Sequence, residues 1–381
     1  MKHFEVAIIG GGIYGSSIAY FLSQQGIPAV LLEQGVIGAE GATACSGGIV
    51  RVYDPDPVLA QFSLFGTIEW SAWSAYGYPG MSPYSNAGCL YRLSPTGYTR
   101  VVELTDTLKG IGYRYEAFSG SRLQSRFPQI IFNTHDEVIW EPGSGYGNPR
   151  LAARNLAEGS CLQGATIYEN CLVKGFDQCG NKWSIELLHG SITADIIILA
   201  TGAFGRQLLP DLPVFTRSIS LLQLSKAGTG CSVNYPIVDE ILETYTRPVK
   251  DGGIYCGTQV FEDVKNPGEL SSYGQPEKED AWMRVQKLIQ PEYIGLPVNG
   301  FKGFDCYTPD KRPLVGFVSG LSNFFIAIGF SGRGFKYCLP LAKAITWQIC
   351  DRLGKTATIA NFDLYVCRLS KQFNCHYEAG G

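Results

Sequence analysis

The stretch that most constrains this chain is its amino terminus: Phe4-Glu5-Val6-Ala7-Ile8-Ile9 runs into Gly10-Gly11-Gly12-Ile13-Tyr14-Gly15 and closes at Leu31-Leu32-Glu33. An apolar strand, a G-x-G-x-x-G turn, a helix through Gln25 stopped by Gly26, and a second strand over Ala29 to Leu32 ending on an acid compose a dinucleotide-binding βαβ unit. Each glycine has a mechanical reason. Gly10 permits the tight turn, Gly12 lets a pyrophosphate approach the backbone, and Gly15 lets the helix pack closely. The helix N-terminus offers N–H groups and a positive dipole end to phosphates. Glu33 is expected to accept hydrogen bonds from ribose hydroxyls, with Ile13, Tyr14 and Gln34 beside the same nucleotide. The turn alone does not separate a nicotinamide from a flavin dinucleotide.

At 381 residues the chain is long for one core, so two domains are expected. A formal net charge of -3, with no lysine- or arginine-rich tract, gives no global attraction to nucleic acid or anionic membrane. The first strand starts within a few residues of Met1, which leaves no room for a signal peptide, and no apolar run reaches the ~18 residues of a membrane span. A soluble, cytoplasmic protein is therefore expected. The 12 cysteines include no C-x-x-C pair, so reduced thiols are expected, and four histidines without ligand spacing predict no metal site.

Beyond Glu33, the run from Gly38 to Arg51 is rich in small residues and far too long for an ordinary turn, as if the backbone lay flat against something planar. Helices are predicted from about Pro57 to Trp73, Val101 to Lys109, Pro149 to Gln163 and Lys278 to Ile289, with a last one ending at Leu353 before Gly354. Asp195 to Ala203 contains an apolar strand ending in Thr201-Gly202, as expected in the middle of a parallel sheet. Strands near Gly88 to Leu93, Ser220 to Leu224, Tyr245 and Gly253 to Gly257 read as a second sheet.

The glycine turn, the small-residue loop, Ala200-Thr201-Gly202, Thr308-Pro309-Asp310 with Pro313-Leu314-Val315-Gly316, and Gly329 to Lys336 together resemble the D-amino-acid oxidase superfamily, nearest to its sarcosine oxidase and glycine oxidase branch. The resemblance implies an α/β fold: a glutathione-reductase-like Rossmann FAD-binding domain (1–80, 141–217 and 300–381) interleaved with a mixed-sheet α+β substrate domain (81–140 and 218–299). It implies FAD as cofactor and oxidation of the C–N bond of a carboxylate-bearing primary or secondary amine by hydride transfer to flavin N5.

Residue by residue, the resemblance implies that Ala42, Thr43 and Ala44 lie beside the isoalloxazine ring, and that Val173, Thr201, Gly202, Gly332, Arg333, Gly334, Phe335 and Lys336 also meet the cofactor. Arg51 and Lys336 match the pair that holds the substrate carboxylate, and Tyr245 a strand facing the pocket. The Gly332-Arg333-Gly334 turn is expected to present a positive helix end to the reduced ring. Two departures stand out. Tyr255 occupies the place of the lysine that sarcosine oxidases set over the flavin, which leaves O2 or another acceptor open, and Gly303 replaces the flavin-linking cysteine, which implies noncovalent FAD. Other readings are a flavoprotein acting on a protein- or carrier-bound substrate, and a flavin-bearing subunit of a hetero-oligomer; a protein partner or a homo-oligomer stays open.

Overall fold

The computed structural model describes residues 1–228 and 232–359. Its first sheet is parallel at the centre, in the order Thr166–Tyr168, Ala29–Leu32, Lys2–Ile9, Ser191–Leu199, Phe324–Ile328. The antiparallel strand Leu314–Phe317 extends one edge, and the hairpin Val173–Cys179 with Lys182–Leu187 pairs with the first half of Ser191–Leu199. Ala29–Leu32 and Phe324–Ile328 are buried at every position, as strands covered on both faces must be. On one face Val6, Ile8, Leu31 and Phe325 pack under the helices Ile13–Gln24, Pro149–Leu162 and Cys338–Arg352; on the other, Ala7, Ile9, Val30 and Phe324 pack against Trp183, Ile185 and Leu212.

The second sheet runs Pro297–Tyr307, Phe215–Leu224, Ile254–Gly257, Thr244–Pro248, Ile237–Asp239, Cys89–Leu93, Glu137–Glu141, Glu116–Ser119. It is mixed: Ile237–Asp239 pairs in parallel with Cys89–Leu93, and its other pairings, including Asp263–Val264 on Phe215–Leu224, are antiparallel. The helix Gln275–Leu288 covers one face through Ala281, Val285 and Leu288, and Pro95–Lys109 the other through Val101, Leu104 and Leu108. A small sheet, Ile49–Val50, Gly145–Gly147 and Tyr84–Ser85, lies beside them.

Three helices share one start. Asp56, Ser94 and Asn148 each accept a backbone N–H through the side chain and are followed directly by proline, whose fixed φ suits the first helical position. The Ser94-Pro95 cap begins its helix well before the predicted Val101. Residues 300–307, expected with the nucleotide-binding segments, instead continue the second sheet, paired along Phe215–Leu224. The apolar stretch of Phe304, Cys306 and Tyr307 fits either sheet, and only the long-range ladder decides between them. The part of the last predicted segment beyond Ile359 lies outside the described residues.

Candidate active site

One continuous cavity runs from the glycine turn and Glu33, past Thr43 and Thr201, to Arg51, Tyr245 and Lys336. Its first end is made by local backbone geometry. Gly10 has φ +106, and a Cβ there would lie 2.6 Å from the carbonyl oxygen of Ala200. A Cβ at Gly15 would stand 1.8 Å from the carbonyl oxygen of Gly10, so only glycine lets this helix seat on the turn. Glu33 Oε2 accepts from Gly11 N at 2.5 Å and Oε1 from Gly35 N at 2.9 Å. Burial raises the Glu33 pKa, against the pull of those two N–H groups.

Two distant segments close over the turn. Ile13 N donates to Thr43 Oγ1 at 3.0 Å, which ties the small-residue loop to the first helix. The Tyr14 ring stacks on Phe330 with centroids 3.5 Å apart, and its hydroxyl donates to the Gly334 carbonyl at 2.9 Å. Gly12, Ile13, Tyr14, Gln34, Ala42, Thr43, Val173, Thr201, Gly202, Gly332, Arg333, Gly334 and Phe335 all line the cavity. Gly15 and Ala44 do not: Gly15 is buried in the helix, and the Ala44 carbonyl accepts from Arg150 Nε at 3.0 Å. The cavity suits a dinucleotide at this end. The glycine turn leaves no Cβ in the way, Glu33 faces it, and the buried Thr201 Oγ1 has no protein partner.

The far end holds the charged groups. Arg51 Nη1 and Lys336 Nζ both donate to the carbonyl of Tyr53, Lys336 at 3.5 Å, although 283 residues separate Tyr53 from Lys336. The Arg51 guanidinium lies over the Tyr91 ring at 5.0 Å and has no salt bridge to an acidic side chain among the described residues. Lys336 is different. Its Nζ lies 2.9 Å from Asp54 Oδ2, while Arg333 Nη1 lies 2.8 Å from Asp54 Oδ1. Asp54 is wholly buried. Burial would raise its pKa, but Lys336, Arg333 and Arg51 outweigh that and hold it at about 2. Burial lowers Lys336 to about 8, against the pull of Asp54.

Between the two ends, Asp305 accepts from Cys306 N at 2.7 Å and Gly332 N at 2.8 Å, and burial pushes its pKa to about 6. Tyr245 lines the cavity, wedged between two glycines: a Cβ at Gly257 would meet its ring at 2.6 Å, and one at Gly47 at 3.1 Å. Tyr255, expected over the ring, does not line the cavity. It pairs with Arg247 on the same sheet face as Tyr245 but two residues further along its strand from Gly257, under the Arg247 guanidinium at 5.0 Å, and packs edge-on against Phe301 at 5.5 Å. Gly303 faces Cys45, where a Cβ would lie 2.1 Å from the Cys45 Cβ, so a cysteine has no room at 303. All nine cysteines within the described residues are free, and no candidate metal cluster occurs among those residues.

The residue that sequence reasoning missed is Asp54. In Asp54-Pro55-Asp56-Pro57 it reads as the turn before a capped helix, and nothing nearby in the chain marks it as the counter-ion of Lys336. The one available signal was that a buried lysine at 336 requires a partner.

A parallel sheet with this glycine turn, a second mixed sheet and a cavity lined from both define an oxidoreductase of the dinucleotide-binding two-sheet class. The chain belongs to the FAD dependent oxidoreductase family, whose model matches residues 5–348, and its cofactor is FAD. It is 25% identical to a monomeric sarcosine oxidase of Bacillus sp. over 88% of this chain and 90% of that protein. It is 24% identical to human mitochondrial dimethylglycine dehydrogenase over 86% of this chain but 40% of that longer protein. The crystal structure of glycine oxidase from Geobacillus kaustophilus superposes with a TM-score of 0.81 over the whole of both chains at 17% identity, a likeness of fold. No helix of the described residues is long and apolar enough to cross a membrane.

Proposed function

We propose that the protein oxidises the C–N bond of a small amine carrying a carboxylate, giving an imine that water hydrolyses. The observation that carries this reading is the convergence of Arg51 and Lys336 on the Tyr53 carbonyl, at the end of the cavity away from Glu33. A guanidinium and an ammonium at one spot make charge-assisted hydrogen bonds to a carboxylate. FAD, when bound, supplies the acceptor of the hydride that leaves the carbon bearing the amine.

The chain's own residues then have separate tasks. The glycine turn, Glu33 and Thr201 hold the adenosine and pyrophosphate half, and the segment Gly332 to Phe335 approaches the ring. Arg51 and Lys336 fix the carboxylate and so the direction of the amine-bearing carbon. Arg51, Arg333 and Lys336 together disfavour a further positive charge, so a substrate ammonium loses its proton more readily there. The Tyr245 ring walls the substrate side and excludes water. Position 255 is a tyrosine outside the cavity lining and carries no ammonium, so reoxidation by O2 is slow and another acceptor serves. In this reading the parallel sheet carries the cofactor, the carboxylate clamp comes from the segments after Ile49–Val50 and before Cys338–Arg352, and the mixed sheet supplies Tyr245 as a wall.

The test is anaerobic mixing of the FAD-loaded protein with sarcosine, glycine, proline and D-amino acids. Loss of flavin absorbance with at least one, and slow recovery in air, is expected. Full absorbance with every amine, together with carboxylate binding unaltered in Arg51→Ala, overturns the reading and favours a protein- or carrier-bound substrate.

A further inference from the structure

The two cations of the clamp differ in what already holds them. Arg51 donates to one backbone carbonyl, lies against one aromatic face and lines the cavity half-buried. Lys336 is 2% exposed and is engaged by a carboxylate of the protein itself. That carboxylate, on Asp54, has no exposure and accepts three hydrogen bonds, from Lys336 Nζ on Oδ2 and from Arg333 Nη1 and Asp56 N on Oδ1 at 2.8 and 3.0 Å, while the charge of Arg51 acts on it without a hydrogen bond. An ammonium has three N–H donors. With one on Asp54 and one directed at the Tyr53 carbonyl, a single donor of Lys336 remains for a ligand.

We propose that Asp54 is a positioning residue with a built-in carboxylate: it pins Lys336 and Arg333 in place and keeps the Lys336 ammonium charged at a buried position, while Arg51 is the cation that receives the substrate carboxylate. This deepens the amine-oxidation reading and rests on it for the identity of the ligand.

The groups facing Lys336 support the assignment. Arg51 and Asp54 come from the segment after Ile49–Val50, Arg333 from the turn that precedes Lys336, and Cys89 from the strand Cys89–Leu93. The helix Pro57–Ser71 approaches so closely that a Cβ at Gly66 would stand 2.0 Å from the Lys336 carbonyl oxygen. Its buried acid, Glu69, is paired instead with Lys343 at 3.0 Å. Asp54 is thus the one carboxylate in an ion pair with Lys336 among the described residues. Burial and two neighbouring cations favour neutral Lys336, and Asp54 opposes them.

The experiment measures the dissociation constant of acetate from the FAD-loaded protein by the flavin difference spectrum, between pH 6 and 9.5. In the parent protein acetate binding weakens as pH rises through about 8, where Lys336 sheds its proton. In Asp54→Asn this limb moves to lower pH by about one unit or more, while acetate at pH 6 still binds. In Lys336→Arg, which does not titrate in this range, the limb is absent. An unmoved limb in Asp54→Asn overturns the proposal. If Asp54→Asn does not fold, the limb is read in Asp54→Ser instead, where a limb moved to lower pH upholds the proposal and an unmoved one overturns it; a limb that persists in Lys336→Arg also overturns it. Acetate that fails to bind the parent at any pH, or binds Arg51→Ala equally well, defeats the amine-carboxylate reading itself, a result distinct from an unmoved limb.

Discussion

The two ends of the cavity are built by opposite means. At the nucleotide end the selecting groups are backbone: Gly10 and Gly15 admit no Cβ, and Glu33 is held by the N–H groups of Gly11 and Gly35. At the substrate end they are side chains, Arg51, Asp54, Arg333 and Lys336, drawn from segments some 280 residues apart and balanced by charge. A site made of backbone is fixed once the local fold forms. A site made of buried charges is fixed only when every partner is present, and loss of one leaves another uncompensated.

The contrast is broken most severely by Asp54→Ala. Removing one partner of a buried ion pair leaves Lys336 unpaired, and about 3–5 kcal/mol of stability should be lost near pH 6. The loss should shrink at pH 9, where Lys336 is neutral, and chemical denaturation of the loaded protein at both pH values measures it. A pH-independent loss would mean that the lysine charge is not what Asp54 holds. Arg51→Ala should come next, with the apparent substrate constant raised roughly 10- to 100-fold, the worth of a hydrogen bond to a charged group, and retained FAD. Steady-state kinetics with the flavin content recorded separates the two ends.

On the nucleotide side, Gly15→Ala forces a methyl into the Gly10 carbonyl and should cost about 1–3 kcal/mol, read as a lower flavin-to-protein absorbance ratio after gel filtration. The smallest effect should be Glu33→Gln, where one backbone N–H meets an amide NH2 instead of a carboxylate oxygen. About 1 kcal/mol of FAD affinity should go, with the substrate constant unchanged. If Glu33→Gln shifts the substrate constant more than FAD retention, the division between the ends is wrong.

Titration sharpens the same comparison. Asp54 is held at about 2, below its ordinary value of 3.8, so its contribution to stability is complete above pH about 4 and is lost as pH falls towards 2. Glu33 is shifted the other way, so its contribution is present below its ordinary range and falls as pH rises through its folded value. Acid unfolding of Asp54→Asn should therefore lack part of the parent's loss of stability below pH 4.

How far the site could be read in the sequence follows the same line. The strand, glycine turn and acid from Phe4 to Glu33 all reappear in the structure at the expected positions, because every part lies within one stretch of chain. The three cap-and-proline helix starts are local as well, although the apolar residues from Val101 onward mask the Ser94-Pro95 start. Arg51, Tyr245 and Lys336 came from the family resemblance, and the cavity does reach all three. Tyr255 follows from the same resemblance, yet it stands two residues along its strand from Gly257, the partner of Tyr245, and outside the cavity lining.

The sequence by itself determined the nucleotide-binding turn, since steric limits on φ and the contact of a helix with its own strand act between neighbours. Tertiary structure alone decided that Asp54 meets Lys336 and Arg333, and that residues 300–307 join the mixed sheet. Ion-pair choice and strand pairing depend on which remote segments are brought together and on how completely water is removed from between them. Neither quantity is a property of any short stretch of chain.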